Sequence, residues 1–262
     1  MSMNDVDNTT LLTIKNMWKK YEDGGPEDRD ILQDFNITLK KKDFLCILGP
    51  SGCGKSTLIR CIGGFEKYQR GEILINGKRV SAPSPERIMV FQDFNQLFPW
   101  KTVEENIQYP LRLKGIKDKA KLQELSDKYL EKVDLKGKGV YYPHQLSGGM
   151  KARVAIAKAF ALKPDIILMD EPFASLDAMT RKNLQKELLH IAEKEEITII
   201  FITHNIQEAL CLGKRVILMS KQGGEIKVDV ENTLPRPAGP STPGFAELWE
   251  KLSSALETEN MR

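Results

Sequence analysis

Near its start the chain carries residue types that bind phosphate. A glycine-rich loop with the spacing G-x-x-x-x-G-K-[ST] follows an apolar, strand-like run and precedes a helix-like run. Its residues are Gly49, Pro50, Ser51, Gly52, Cys53, Gly54, Lys55, Ser56 and Thr57. Such glycines let backbone N–H groups form an anion nest at a helix N-terminus. Lys55 would face the β- and γ-phosphates, and the Ser56 hydroxyl would coordinate Mg²⁺. The loop predicts nucleotide binding but no single reaction, because kinases, GTPases, recombinases and transporters all use it.

A pair of adjacent carboxylates ends another apolar run. Asp170 and Glu171 follow Ile166–Met169 directly. Because side chains alternate along a strand, we expect the two to point in different directions and to do different work. Asp170 suits the Mg²⁺ shell, held through Ser56 or a water. Glu171 would accept a proton from the attacking water, typically worth about 10²- to 10⁴-fold in rate. The alternative is an ordinary exposed strand end.

One histidine stands where ligands bind in an open α/β sheet. His204 follows the apolar run Ile197–Thr203, and such sheets bind ligands at the carboxyl ends of their strands. There it would hold the γ-phosphate or the attacking water. His144 and His190 have no such context, and we expect them to be surface or packing residues.

Composition describes the scaffold rather than the reaction. The 262 residues suit one large domain or a core with a subdomain, and 41% hydrophobic with 29% charged residues is ordinary for a globular protein. The net charge of +3 is explained by solvated lysines and does not indicate nucleic acid. We expect neither a secretory signal nor a membrane span. The cysteine spacing favours free thiols in a reducing cytoplasm.

Short apolar runs alternate with helix-like stretches, which predicts an α/β fold with a largely parallel sheet. The turn dipeptide Asn76-Gly77 within Glu72–Val80 predicts a β hairpin. Lys117–Val133 and Gly149–Leu162 have helical periods with no strand-like run between them, which predicts a helical insertion. The other predicted strands are Phe44–Leu48, Ile88–Phe91, Ile166–Met169, Ile197–Ile202 and Val216–Met219.

The segment Leu146–Met150 precedes a helix-like run and resembles the LSGGQ signature of the ABC ATPases. The remaining motifs of that family occur in its order across nearly the whole chain. They are Tyr21 for the aromatic that stacks on adenine, Gln92 for the glutamine between core and helical subdomain, Asp170-Glu171 for the second acidic motif, Ser175–Asp177 for the loop across the dimer interface, and His204 for the switch histidine. By this resemblance the chain is identified as a member of the family.

The resemblance implies a P-loop NTPase (RecA-like) α/β core with an antiparallel β hairpin region and an inserted α-helical subdomain. It implies that residues 1–91 and 165–231 form the core, with the ABC domain covering about 11–231 overall. Residues 92–164 would form the helical subdomain and 232–262 a short C-terminal tail. The implied cofactors are ATP and Mg²⁺. Metal binding is expected at Ser56, Gln92 and Asp170, and catalysis at Glu171, His204 and Gln92.

In this family two subunits face head to tail, so we expect a homodimer or pairing with a related subunit. Each ATP would lie between the phosphate loop of one subunit and the signature of the other. Ser147, Gly148 and Gly149 at a helix N-terminus would offer a hydroxyl and N–H groups to the γ-phosphate, with Asp177 nearby. ATP would stabilise the closed dimer, and its hydrolysis would let the dimer open.

Within the family, Val90–Asn106 resembles the importer subgroup for nitrate, taurine and aliphatic sulfonates, where Pro-Trp precedes T-V-x-E-N. This implies an ATPase that powers uptake of a small organic anion through separate integral membrane permease subunits. A solute-binding protein would act indirectly, no nucleic acid would bind, and the subunit would lie peripherally on the cytoplasmic face of the cell membrane. Phe98 and Trp100 packing inside the subdomain is the alternative. The other function classes are an exporter motor and a soluble ABC ATPase of DNA repair or translation.

Two departures from the family pattern bear on the site. Met150 replaces the usual signature glutamine, a substitution that also occurs in the sulfonate and nitrate subgroup, so we do not interpret it as inactivation. The stretch Glu22–Asp30 is slightly long, which leaves Tyr21 and Trp18 as alternative adenine platforms.

Overall fold

The computed structural model describes residues 9–21, 30–91 and 96–261. The chain divides into two compact units, one formed by Met1–Ser84 with Thr198–Arg262 and the other by Pro85–Ile197. Its strands are β1 (Thr10–Lys20), β2 (Asp30–Lys40), β3 (Phe44–Leu48), β4 (Arg70–Ile75), β5 (Lys78–Arg79), β6 (Arg87–Val90), β7 (Ile166–Asp170), β8 (Thr198–Ile202), β9 (Arg215–Met219) and β10 (Ile226–Glu231). Its helices are α1 (Lys55–Gly63), α2 (Val103–Leu113), α3 (Lys119–Lys132), α4 (Gly148–Ala161), α5 (Ala178–Glu195), α6 (Ile206–Leu212) and α7 (Phe245–Asn260), with a 3₁₀ turn at Pro143–Gln145.

The first unit contains two sheets. One is antiparallel in the order β2-β1-β4-β5, and its β4–β5 turn carries Asn76 and Gly77 with φ of 49° and 72°, as a type I′ hairpin requires. The other runs β10-β9-β3-β8, with β3 parallel to both β8 and β9. Every residue of β3 and β8 is buried, as expected for parallel strands covered on both faces. The predicted α/β class and the hairpin are confirmed.

The parallel pairing of β3 and β8 sets where chemistry can occur in this unit. Their carboxyl ends lie at one edge of the sheet, because Ile47 pairs with Ile202. The Thr203 N–H then donates to the Ile47 carbonyl at 3.2 Å. The glycine-rich loop leaves β3 at this edge, and His204 leaves β8 beside it. In the same unit α7 packs against α6, β9 and β10.

The second unit joins a short parallel pair, β6 with β7, to a group of helices. Helices α2, α3 and α4 pack against one another, and α4 also packs on β6 and α5. The two predicted helical stretches correspond to α3 and α4. Helix α4 is buried on most sides, and its buried residues are small or apolar: Ala152, Val154, Ala155, Ile156, Ala157, Ala159, Phe160 and Ala161. Within residues 9–21, 30–91 and 96–261, no helix has the length and apolar character that crossing a membrane requires.

One buried amide fixes the loop that precedes α2. Asn106 is fully buried. Its Oδ1 accepts the Phe98 N–H at 2.8 Å, and its Nδ2 donates towards the carbonyls of Phe98, Lys101 and Thr102 at 3.1, 3.2 and 2.9 Å. Thr102 and Glu105 form a capping box at the start of the helix. The loop from Phe98 to Thr102, which contains Pro99 and Trp100, therefore has a defined conformation without pairing in a sheet.

We predict that Asn106→Ala lowers the free energy of unfolding by about 2–3 kcal/mol, because it leaves several buried backbone groups without a partner. Urea denaturation of the purified protein measures the change. Asn260→Ala, at an exposed position near the end of α7, is the matched control and should stay within about 0.5 kcal/mol of the parent. Equal stabilities for the two variants would contradict this role of Asn106.

Candidate nucleotide-binding site

The glycine-rich loop has a shape that its neighbours enforce. Gly54 has φ of 98°, a left-handed conformation that residues with a Cβ rarely adopt. A Cβ there would also lie 2.9 Å from Ile31 Cγ2. At Gly49 a Cβ would lie 2.8 Å from Cys53 Sγ and 2.9 Å from the Met219 carbonyl oxygen. Gly52, in contrast, borders open space. The loop is thus packed tightly on the protein side and open elsewhere.

The helix that follows the loop begins without any side-chain acceptor. Gly54 is the N-cap of α1, no side chain caps the helix, and its first turn contains no acidic residue. The first amides of a helix have no intrahelical partner and carry partial positive charge. Lys55, which is buried, donates from Nζ to the carbonyls of Gly49 and Pro50, each at 2.7 Å. This arrangement fits a polyphosphate anion. Burial raises the pKa of the Cys53 thiol, so that side chain adds no negative charge.

Tyr21 is tied to this same helix. Its hydroxyl lies 3.3 Å from Thr57 Oγ1, and Lys19 Nζ lies 4.3 Å from the centroid of its ring. Lys19 is itself buried and pairs with Glu66 at 3.1 Å. Burial raises the pKa of Tyr21, so it remains a neutral phenol. A base that stacks on Tyr21 would take the ring face opposite Lys19. Trp18 lies in β1 and pairs with Arg70 of β4. Lys19 was not predicted from the sequence, because nothing there marks it as the buried lysine.

His204 lies at the strand edge that also carries the loop. It is exposed and stands between two anchored neighbours. Thr203 donates from its hydroxyl to Glu208 at 2.5 Å, and Asn205 caps α6 by accepting the Glu208 N–H at 3.1 Å. The backbone on both sides of His204 is therefore fixed. The placement agrees with the position expected from the sequence, while the role of this histidine stays a prediction.

The acidic pair lies in the second unit, and one part of the reasoning about it was wrong. Strand β7 ends at Asp170, which is buried. Glu171 is partly exposed and has φ of 44°. Since Glu171 is left-handed and outside the strand, strand alternation cannot be what separates the two carboxylates. Non-glycine residues seldom adopt this left-handed conformation. Those that do often lie at functional sites.

The signature residues and Asp177 begin two neighbouring helices of this unit. Ser147 is the N-cap of α4 and accepts the Met150 N–H at 3.3 Å. Asp177 is the N-cap of α5 and accepts the N–H groups of Met179 and Thr180 at 3.1 and 3.0 Å. The hydrogen bond from the Thr180 backbone N–H lowers the pKa of Asp177, so the carboxylate is ionised at neutral pH. Ser147, Gly148 and Asp177 are exposed.

The predicted metal site agrees with the preferences of Mg²⁺ only if a substrate supplies ligands. Among residues 9–21, 30–91 and 96–261, no group of three or more His, Cys, Asp or Glu side chains could hold a metal ion. Mg²⁺ typically takes one or two protein ligands together with substrate phosphates and waters. The hydroxyl of Ser56 in the first unit and the carboxylate of Asp170 in the second are each groups of that kind, and their shared role in binding Mg²⁺ stays a prediction. Gln92, the third predicted ligand, lies outside the described residues.

Comparisons with known proteins agree on one family. A family model described as "ABC transporter" matches residues 32–174. An aliphatic sulfonates import ATP-binding protein of Bacillus cereus is 44% identical over 229 residues, 87% of this chain and 88% of that protein. An uncharacterized ABC transporter ATP-binding protein of Methanocaldococcus jannaschii is 41% identical over 251 residues, 96% and 93% of the two chains. A solved dimeric, post-hydrolysis ATP-binding cassette with ADP and phosphate is 31% identical and superimposes with a TM-score of 0.73, covering 84% of this chain and 98% of that one.

We predict that Tyr21→Ala weakens ATP binding about 5- to 100-fold, the usual range for a stacked base, and leaves the affinity for inorganic tripolyphosphate unchanged. Isothermal titration calorimetry measures the affinity of each variant for ATP and for tripolyphosphate. Tyr21→Phe keeps the ring and serves as the control, with near-parental ATP affinity. Trp18→Ala tests the alternative platform. The assignment to Tyr21 would be wrong if Trp18→Ala alone produced the selective loss.

Proposed function

This chain belongs to the ABC transporter family, and we propose that it powers an importer that takes up an aliphatic sulfonate or a similar small organic anion. It is an ATPase subunit, and the membrane passage would be formed by separate permease chains. The observation that carries the import direction and the substrate class is its similarity to the aliphatic sulfonates import protein. A solute-binding protein would deliver the anion to the permease, so the ATPase would not contact it. Binding to the permease would place this subunit peripherally on the cytoplasmic face of the membrane.

The chemistry proposed for the site follows from its groups. The start of α1 and Lys55 bind the β- and γ-phosphates. We propose that Ser56 and Asp170 hold Mg²⁺, which neutralises charge on those phosphates. Glu171 accepts a proton from the attacking water. His204, whose flanking residues are anchored, holds the γ-phosphate or that water.

The site would be completed by a second copy of the chain. The exposed ends of α4 and α5 carry Ser147, Gly148 and Asp177, and we propose that they contact the nucleotide held by the other copy. The solved dimeric cassette supports this arrangement. A two-fold dimer makes the same contact twice. ATP then favours the closed dimer by the contacts its γ-phosphate makes with both copies, and hydrolysis removes them.

The permease would dock on an apolar surface of the second unit, formed by three aromatic residues and one leucine: Phe98, Trp100, Tyr109 and Leu113. The Phe98 ring lies 5.5 Å from that of Trp100 and 5.0 Å from that of Tyr109. Phe98 is half-buried, whereas Trp100 is 70% and Leu113 73% exposed. The exposure of these residues supports a division of the two interpretations: packing inside the subdomain for Phe98, and presentation to the permease for Trp100. A clustered exposed apolar patch marks an interaction site.

We predict that Glu171→Gln lowers ATP turnover by at least about 100-fold, because the water loses its proton acceptor. The same variant should accumulate as an ATP-bound dimer, detected by sedimentation velocity with and without ATP. Glu124→Gln is the matched control, since Glu124 lies exposed on α3 and pairs with Lys121. Normal turnover in Glu171→Gln would exclude the assigned role.

We predict that Trp100→Ala weakens association with the cognate permease at least about 10-fold, as loss of a central aromatic anchor does, and leaves ATP binding unchanged. Co-purification with the permease measures the first, and nucleotide titration the second. Trp249→Ala removes another tryptophan, 44% exposed on α7, and should change neither. Permease binding retained in Trp100→Ala, or equally lost in Trp249→Ala, would contradict the docking surface.

The import function has a separate test. In proteoliposomes, a sulfonate-loaded binding protein should stimulate ATP turnover by the parental complex.

A further inference from the structure

Thr180, near the start of α5, contacts two functional segments, one through its backbone and one through its side chain. Its backbone N–H donates to the Asp177 carboxylate at 3.0 Å. Its methyl lies against Gly149: a Cβ added to that glycine would stand 2.5 Å from Thr180 Cγ2. Carbon atoms in contact are normally about 3.5–4.0 Å apart. Gly149 is therefore glycine for a reason inside the chain, in addition to any approach of a phosphate.

The neighbouring glycine provides a contrast. A Cβ on Gly148 would meet Leu176 Cδ2 at 3.9 Å, an ordinary contact. An alanine is thus accommodated within the chain at Gly148 but not at Gly149. The difference arises from one methyl group, because the next nearest atoms of Thr180 to the Gly149 Cβ position are its own Cβ at 3.8 Å and Oγ1 at 4.0 Å.

Threonine cannot easily rotate out of this contact. A β-branched side chain has few accessible χ1 rotamers in a helix, and threonine has two preferred ones. Further along the same helices, Arg153 of α4 pairs with Glu187 of α5 at 2.9 Å. The two helices are therefore in contact through Thr180 near their N-terminal ends and through Arg153 closer to their middles.

We propose that Thr180 is a positioning residue of the ATP site: its methyl sets the distance of the signature backbone from α5, and its backbone N–H holds the Asp177 carboxylate. The signature and Asp177 are then presented to the nucleotide of the other copy as one preassembled surface. Thr180 contacts no nucleotide itself. The inference rests on the proposed function, because the surface matters only if a second copy binds to it.

The test uses ATP-driven dimerisation of the full-length chain in the Glu171→Gln background, measured by sedimentation velocity over a range of protein concentrations. Gly149→Ala should weaken the dimer at least 10-fold, and adding Thr180→Ser, which removes only the methyl, should restore most of it. Adding Thr180→Val, which keeps the methyl, should restore nothing. Gly148→Ala is the matched control: any loss it causes should not be relieved by Thr180→Ser.

Single variants separate positioning from folding. Thr180→Ser, which removes the methyl, should weaken the ATP-bound dimer several-fold, while binding of a fluorescent ATP analogue to the monomer and the unfolding temperature remain parental. Thr180→Val, which keeps the methyl and the backbone N–H, should dimerise close to the parental level. If Gly149→Ala fails to fold, these two variants decide. Parental dimerisation in Thr180→Ser, or no relief of Gly149→Ala by Thr180→Ser, overturns the role of Thr180. A Glu171→Gln parent that does not dimerise with ATP would instead overturn the proposed function.

Discussion

The uncapped start of α1 is the constraint on which the site depends. Helix amides in the first turn need an acceptor, and α2, α3, α4, α5 and α6 each receive one from a side chain of their own N-cap residue. Helix α7 also begins at a glycine but has Glu247 in its first turn. Helix α1 has neither device. Water or a bound ligand can accept from its first amides, and the charge of Lys55 favours a negatively charged ligand.

Much of the fold was predictable because its strands are short apolar runs. Local sequence patterns agree with the observed structure for strands β3, β7, β8 and β9 and for the hairpin at Asn76. Strand β1 was not predicted, although it pairs on both edges. Its register shifts after Ile14, and Asn16 has φ of 47°, so the alternation of buried and exposed residues is broken in the middle. A period-two search cannot follow a strand across such an irregularity.

The candidate site was predictable where a motif is local and not where packing decides. The loop, the signature and His204 could be located because each depends on a few consecutive residues. The left-handed turn at Glu171 follows no propensity, so an extended conformation was the wrong assumption there. The contact of Thr180 with Gly149 joins two helices that start about thirty residues apart in the chain, and sequence spacing carries no signal for it.

The N-caps of α4 and α5 have an entropic consequence for assembly. Ser147 and Asp177 hold backbone amides of their own helices, so their rotamers are already restricted in the separate subunit. Ordering flexible side chains at an interface commonly costs about 0.5–1.5 kcal/mol for each. Here that cost is met during folding of the chain. In the proposed dimer, more of the free energy of ATP binding would then be available to bring two copies together, and few contacts would be needed to drive closure.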